Sequence, residues 1–392
     1  MKAPLITIAL LFAIESVAQQ STVDQVLQQV LANNKRVSAH AAEVEALRLQ
    51  ERTGLSLPDP SIDFDYMNGS PATAGQQTDL TVMQPFDFPT AYSVQRKVAE
   101  LRTTQHEQEA IAARREVLLD AQRTCVALVH ANKRALLLDE RHAAAVRYRD
   151  GMRQRFEREA ATILDRNKAE LLEAGIAADT QAAEMERQAL LQHLAELNGG
   201  RTIAFADTVY PASAEMPAFE TYEAAMEAAD PDLRMLETEV QVSEQQTRAF
   251  KATGLPGFEI GYRYQGILGA DYQGVHAGVN IPLWSNRNKV KQQKQWTEAH
   301  ALRTEEHRVE HFYEARHLYD RAFALRAAAK QYEQRLAGAN SVALLEKAFN
   351  AGQITTLEYQ MELLLLRESM DRWLRLEMEH QDALAELFQY KL

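Results

Sequence analysis

Apolar and polar residues alternate strictly in four short segments of the chain, and these segments fall between long stretches that are predicted to be helical. Alternation with a period of two is typical of strands that have one apolar and one polar face. The predicted helices cover residues 22–52, 91–150, 162–198, 221–253, 287–347 and 355–388. The expected fold class is therefore α+β, mainly α, with two pairs of strands between helices.

Each strand pair has one apolar and one charged face. The apolar positions of the first and third strands are Ile62, Phe64, Tyr66, Phe258, Ile260, Tyr262 and Tyr264. The charged positions between them are Asp63, Asp65, Glu259 and Arg263. Such alternation fits a half-buried sheet of a soluble protein, and it equally fits strands with lipid on one side and a water-filled lumen on the other.

Two features favour the membrane interpretation of these strands. Full charges on the polar faces suit a lumen, and the segments are close to the 9–11 residues that a tilted strand needs to cross a bilayer. Four strands cannot close a barrel, and an open sheet edge cannot lie in lipid. We therefore expect several copies to pool their strands, and three copies would give a barrel of twelve strands.

The whole pattern occurs twice, each time as a helix, two strands, a long helix and a helix. The ten residues from Phe156 align without gaps on the ten from Phe349, 193 positions later. The two predicted repeats are residues 19–210 and 211–392. Each long helix would span about 90 Å, and the two shorter helices of a copy together match that length. We expect them to stack end to end beside the long helix, forming a tall helical wall with the sheet at one end.

The N-terminus is predicted to be a secretory signal peptide over residues 1–18. Lys2 precedes an apolar stretch over residues 5–14, and Ser16-Val17-Ala18 offers a small-x-small cleavage site. The apolar stretch is too short to span a bilayer, and no other stretch reaches 18 apolar residues. The sequence thus indicates export and predicts no transmembrane helix.

Composition and motifs narrow the function. The net charge of −12 argues against nucleic acid as a partner and is compatible with a conduit for cations. The single cysteine, Cys125, cannot form an internal disulfide. The sequence has no Walker loop, no G-x-S-x-G and no C-x-x-C. We expect no catalytic residues, no cofactor and no metal site.

One motif supports a rival function. His307-Arg308-Val309-Glu310-His311 fits the H-x-x-E-H pattern of inverted zinc peptidases, in which two histidines share a metal on one helix face. It would imply a soluble zinc hydrolase with bound zinc, and His300 lies on roughly the same face. The alternative is a row of solvated histidines on a long helix. A third class, a structural coiled-coil rod, would require sustained heptads without intervening strands.

Several motifs in a fixed order link the chain to a known family. They are Phe349-x-x-Gly352-x-x-Thr355-x-Leu357-Glu358-Tyr359, its partner from Phe156 to Asp165, Asn280-Ile281-Pro282-Leu283-Trp284-Ser285-Asn286-Arg287, Asp230-Pro231-Asp232-Leu233 and Leu194-Ala195-Glu196-Leu197-Asn198-Gly199. With these motifs the chain resembles the TolC-type outer-membrane efflux proteins. Within that family it is most similar to the cation-efflux branch typified by CzcC and CusC.

The resemblance implies an assembly and a location. It implies a homotrimer with a twelve-stranded barrel in the lipid of the cell outer membrane and an α-helical tunnel through the periplasm. The tip of the tunnel would dock a periplasmic adaptor, or membrane fusion protein, that bridges to an inner-membrane pump of the RND type. A belt around the tunnel would be built from residues 200–219 and the C-terminus. Heavy-metal cations are the expected cargo, and drug or protein export through the same architecture is the alternative.

The resemblance also assigns residues at the tip. Glu358 takes the position of an acidic constriction ring, Glu362 lies one turn further along the helix, and Asp165 is the equivalent of Glu358 in the first copy. Rings of carboxylates favour cations, whereas the alternative is two solvated glutamates on an exposed helix face. The expected adaptor-docking residues are Phe156, Thr162, Phe349, Gly352 and Thr355. The first copy has Glu159 where the family has glycine, so the two tips are expected to differ in shape.

Overall fold

The computed structural model describes residues 22–211, 215–284, 286–339 and 342–392. The helices are α1 Thr22–Asn33, α2 Lys35–Arg52, α3 Pro89–Glu157, α4 Ile163–Leu197, α5 Phe219–Ala229, α6 Pro231–Ala252, α7 Lys289–Ala339, α8 Val342–Asn350 and α9 Thr356–Leu387. The strands are β1 Ser61–Asn68, β2 Gln76–Phe86, β3 Gly257–Ile267 and β4 Ala270–Asn280. The predicted signal peptide lies outside the described residues.

The long helix α3 is longer than its sequence pattern predicted. It runs for 69 residues without a break, about 100 Å, and it continues seven residues past position 150. Gly151 lies inside it, because a single glycine weakens a helix by about 1 kcal/mol but does not end it. The helix ends only where Glu159 adopts a left-handed backbone conformation.

The predicted helices 22–52 and 221–253 are each broken into two. At the first joint the side chain of Asn34 accepts a hydrogen bond from the backbone N–H of Val37 and caps α2 (3.0 Å). At the second joint Asp230 caps α6 through the N–H of Asp232 (2.9 Å), and Pro231 occupies the first helical position. The two joints lie at equivalent places in the two copies.

The short helices stack end to end as expected. The end of α4 meets the joint between α1 and α2, where Asn33 Nδ2 donates to Asn198 Oδ1 (3.0 Å). In the second copy the chain after α9 meets α5, and the rings of Tyr222 and Tyr390 lie 6.0 Å apart. Helix α3 packs against the α1, α2 and α4 stack on one side and against α6 and α9 on the other, and α7 packs on α5, α6 and α9. The helices thus form a wall of four columns.

The four strands form one antiparallel sheet in the order β1-β2-β3-β4. Its register places Ile62 opposite Val82, Val82 opposite Tyr262 and Tyr262 opposite Val275, so one face is apolar across all four strands. In this single chain β1 and β4 are edge strands. Their backbone groups are open for pairing with another chain.

Two apolar clusters hold the columns together, one in each copy. The first contains Val26, Val30, Leu128, Leu194 and Phe205, and the second contains Phe219, Tyr222, Ala315, Leu384 and Leu387. Within the described residues, no helix is apolar over a stretch long enough to cross a membrane.

Candidate functional site at the helix tips and on the sheet

The helix tips far from the sheet carry the predicted constriction and docking residues. The two turns have the same backbone hydrogen bonds: the N–H of Ala160 donates to Arg155 O (2.8 Å), and the N–H of Gln353 donates to Ala348 O (2.9 Å). Glu159 has φ 55° and Gly352 has φ 68°. The backbones of the tips are therefore alike, and the difference in shape expected from Glu159 is confined to its side chain.

Glu358 is held in a reciprocal cap at the start of α9. The N–H and the hydroxyl of Thr355 both donate to Glu358 Oε2 (2.8 and 2.9 Å), and the N–H of Glu358 donates to Thr355 Oγ1 (3.2 Å). The hydrogen bonds from the backbone and the hydroxyl of Thr355 lower the pKa of Glu358. The carboxylate therefore stays charged, but it is turned back toward the helix start.

Asp165 forms the same cap at the start of α4. The N–H and hydroxyl of Thr162 donate to Asp165 Oδ2 (3.1 and 2.7 Å), and these bonds lower the pKa of the Asp165 carboxyl. The Thr-x-x-Asp/Glu pattern that produces both caps is readable in the sequence, and sequence reasoning missed it. Glu362 is exposed one turn beyond Glu358.

The two predicted docking phenylalanines are half-buried against the helix that follows each tip. The guanidinium of Arg166 lies 4.9 Å from the ring centre of Phe156, and Phe349 stacks on Tyr359 at 4.8 Å. Arg166 and Tyr359 are themselves 193 positions apart, like the phenylalanines. Both rings therefore fix the angle between the helices at the tip, which leaves only part of each ring open to a partner.

Exposed leucines accompany the tips, and sequence reasoning did not select them. Leu164 and Leu171 on α4 are 65% and 74% exposed, and Leu357 and Leu364 on α9 are 70% and 59% exposed. Each pair is spaced by seven residues, and the two pairs are 193 positions apart. Exposed leucines spaced by seven residues form an apolar stripe along one helix face, and such a stripe usually packs against another helix.

The sheet brings the predicted lumen residues onto one face. Asp63 and Arg263 lie opposite the same residue of β2, Thr81, and Asp65 and Glu259 follow at even spacing on that face. Two further charged residues share it. Asp79, which is buried, lies 3.8 Å from Arg263, and His276 lies 3.5 Å from Glu259. The charged residues of the described strands therefore lie on the face that alternation predicted to be polar, except Asp271 near the β3–β4 turn, which accepts a hydrogen bond from the hydroxyl of Tyr264 on the apolar face (2.6 Å).

Comparison with solved structures identifies this architecture. A membrane protein from Pseudomonas aeruginosa matches with a TM-score of 0.78 at 16% identity, over 94% of this chain and 92% of that chain. CusC, described in terms of transmembrane channel formation, matches with 0.79 at 13% identity, over 94% and 91%. The outer membrane channel CmeC of Campylobacter jejuni matches with 0.72 at 12% identity, over 94% and 85%. The chain has a TolC-like channel fold. No protein-family model and no curated protein matches the sequence.

The solved neighbours OprN, CmeC and MtrE are outer-membrane channels and not enzymes. The H-x-x-E-H motif, which suggested a zinc hydrolase, is not arranged as a metal site in this structure. His307 Nε2 lies 2.7 Å from Asp230 Oδ2, and His311 Nε2 lies 3.6 Å from the same oxygen. Glu310 is exposed on another side of α7. Among the described residues, no group of three or more His, Cys, Asp or Glu is placed to hold a metal ion. The two histidines instead fasten α7 to the cap of α6.

The described residues 200–211 of the segment expected to form a belt contact the middle of α3, and residues 212–214 lie outside the described residues. Asn132 Nδ2 donates to Asp207 O (2.9 Å), and the ammonium of Lys133 lies 4.7 Å from the ring centre of Tyr210. Lys133 also forms an ion pair with Glu377 on α9 (2.5 Å). These contacts fix Asp207 and Tyr210 to α3, which is itself paired with α9 at this level.

Proposed function

We propose that this protein is the outer-membrane channel of a tripartite efflux system, a passive exit duct in the cell outer membrane with a large periplasmic portion. The observation that carries the proposal is the incomplete state of the single chain. Among the described residues, the TolC-like wall has two outer columns that pack on one side only, and the sheet has two unpaired edge strands. Neighbouring copies on either side would complete both parts. The signal peptide expected at residues 1–18 supports export.

A ring of copies satisfies both requirements at once. The outer column on one side carries the exposed stripe of Leu164, Leu171 and Met185 on α4, and the column on the other side carries exposed Leu302, Val309 and Phe323 on α7. Contact between two different faces generates a ring when the rotation closes. A homotrimer has twelve strands, which closes a membrane barrel with the apolar face toward lipid and Asp63, Asp65, Glu259 and Arg263 toward the lumen.

The cargo we propose is heavy-metal cations, delivered by an RND-type inner-membrane pump through a periplasmic adaptor at the tips. Support comes from the resemblance of the sequence motifs to the CzcC and CusC branch and from the carboxylates of Glu358, Glu362 and Asp165 at the tips. The docking residues we propose are Phe156, Thr162, Phe349, Gly352 and Thr355, and the constriction residues are Glu358 and Glu362, with Asp165 in the first copy. Multidrug or protein export would use the same wall and barrel.

The mass of the mature protein, purified from the outer-membrane fraction in detergent, tests the assembly. We expect three chains by native mass spectrometry. Leu171→Glu with Met185→Glu places charges on the α4 stripe and should reduce the trimer fraction at least about tenfold, because two carboxylates would be buried unpaired. Gln241→Glu, exposed on α6 in an inner column, is the matched control and should leave the trimer intact. A single-chain mass for the wild type would contradict the proposal.

Conductance through the reconstituted trimer tests the acidic ring. Glu358→Gln keeps an acceptor for the cap with Thr355 but removes the charge, so it separates a ring from a helix cap. Together with Glu362→Gln it should weaken block by divalent cations and lower cation selectivity. Asp165→Asn tests the equivalent position in the first copy and should have a smaller effect in the same direction. Unchanged selectivity in the double variant would show that Glu358 only caps α9 and that Glu362 is only an exposed surface residue.

A further inference from the structure

The ends of the helices that meet the sheet carry a cluster of basic residues that the proposed function leaves unexplained. We define the basic collar as Arg52, Lys251, Arg287, Lys289, Lys291 and Lys294. All six are exposed. In the part of the chain that the structure describes, none of them forms an ion pair with a carboxylate. Because the whole chain has a net charge of −12, this cluster departs from the average charge of the protein.

The fold brings these residues to one level. Arg52 ends α2, Lys251 lies in the last turn of α6, and three lysines lie in the first two turns of α7. The sheet register places the strand ends Phe86, Gly257 and Asn280 beside one another, at the end of the sheet that leads into these helices. All the collar residues therefore lie just beyond the same end of the strands.

A cavity of about 640 Å³ confirms that the helix ends converge there. It is lined by residues from the end of α2, the start of α3, the end of α6 and the connection into α7, including Lys289. Glu51 lies in the same cavity, but Arg102 contacts its carboxylate at 3.4 Å and offsets its charge. The ammonium of Lys289 lies 5.9 Å from the ring centre of Phe250. The collar therefore keeps its positive charge.

Exposed apolar residues lie between the sheet and the collar. Ile281, Leu283 and Trp284 follow β4 directly and are 61%, 68% and 78% exposed. Tryptophan and basic side chains at the boundary of an apolar band are the arrangement with which membrane proteins meet the headgroup layer. A free anion would be held by an enclosed cradle, whereas this collar extends over three helix ends and one connection.

We infer that the basic collar binds the anionic phosphate headgroups of phospholipids in the leaflet on the helical side of the sheet. This inference rests on the proposed membrane function of the sheet. Basic residues close to an anionic membrane surface each strengthen binding by about fivefold at low salt, and the effect is screened as salt rises. The collar thereby sets the depth at which the sheet sits and gives the channel a preference for anionic lipid.

Lipid binding to the reconstituted trimer tests the inference. The wild type is placed in phosphatidylcholine vesicles with and without phosphatidylglycerol, and the bound lipids are counted by native mass spectrometry. We expect phosphatidylglycerol to be preferred. The triple variant Lys289→Gln, Lys291→Gln and Lys294→Gln should lose at least about tenfold of this preference. The matched control is Arg153→Gln, Arg155→Gln and Arg158→Gln at the far end of α3, and it should keep the preference.

Four outcomes oppose the inference in different ways. Equal binding of both lipids to an inserted wild-type trimer overturns the collar assignment, and so does a preference that survives in the triple variant. Stabilisation of the trimer by inorganic phosphate equal to that by phosphatidylglycerol vesicles would assign the collar to a free anion instead of a membrane. Failure of the wild type to enter either kind of vesicle overturns the proposed membrane function itself, and the lipid assignment falls with it.

Discussion

At the scale of single residues, the two tip turns differ most at one position. Glu159 and Gly352 are equivalent and both have positive φ, which costs about 1–2 kcal/mol for a residue with a Cβ and little for glycine. We expect Glu159→Gly to stabilise the first tip by up to about 1 kcal/mol, and Gly352→Ala to destabilise the second tip by about 1 kcal/mol. Hydrogen exchange of residues 155–165 and 348–358 measures both, and the unchanged tip of each variant serves as its control. A loss of protection in Glu159→Gly would contradict this prediction.

The same turns have a defined pH dependence. The pKa of Glu358 and of Asp165 is lowered in the fold, so each cap contributes above the ordinary carboxyl pKa of about 4 and is lost as pH falls through the lowered value. We expect the starts of α4 and α9 to fray only below about pH 4. Hydrogen exchange corrected for intrinsic rates follows this change. Glu358→Gln removes the titrating carboxyl and should abolish the pH dependence at α9 alone. Fraying that begins near neutral pH would exclude the caps as its cause.

At the scale of elements, the joint at Asp230 connects three helices. Its carboxylate caps α6 and accepts contacts from His307 and His311 of α7. Asp230→Ala removes both functions and should cost about 1–2 kcal/mol, whereas Asp230→Asn keeps the cap and should cost less. Hydrogen exchange at the start of α6 distinguishes the two variants. Equal protection in both would mean that the histidines, and not the cap, hold the joint.

Much of the element order could be predicted from the sequence. Alternation located all four strands and their faces, and the repeat indicated the end-to-end stacking of the short helices. The break at Asn34 was missed, because the hydrogen bond from its side chain to Leu197 O joins residues 163 positions apart. Sequence spacing also could not show that His307 and His311 converge on Asp230. The exposed leucines were missed because their heptads face no partner within one chain.

At the scale of the whole molecule, the proposed trimer would form through the edge strands of the sheet, and one substitution in β1 tests this. Phe64 lies in the edge strand β1, whose outer side pairs with no other strand among the described residues. Phe64→Pro removes a backbone donor and should abolish barrel closure while the helices remain folded. Far-UV circular dichroism should be unchanged, and native mass spectrometry should show single chains. Phe64→Val is the control and should assemble, and a trimer formed by the proline variant would contradict a barrel that closes through β1.

The uninterrupted length of α3 fixes the distance between the sheet and the helix tip. Sixty-nine residues of continuous helix set about 100 Å between the sheet and the tip, and every column of the wall must match that height. One column cannot be shortened alone, because its tip would then lie closer to the sheet than the tips of the other columns. Every side-chain contact beyond the deletion would also lose its register. Insertions and deletions in this wall must therefore come in compensating sets, one in each column. The distance from the sheet to the tip is therefore set by the helices together, and a substitution on the surface of the wall leaves it unchanged.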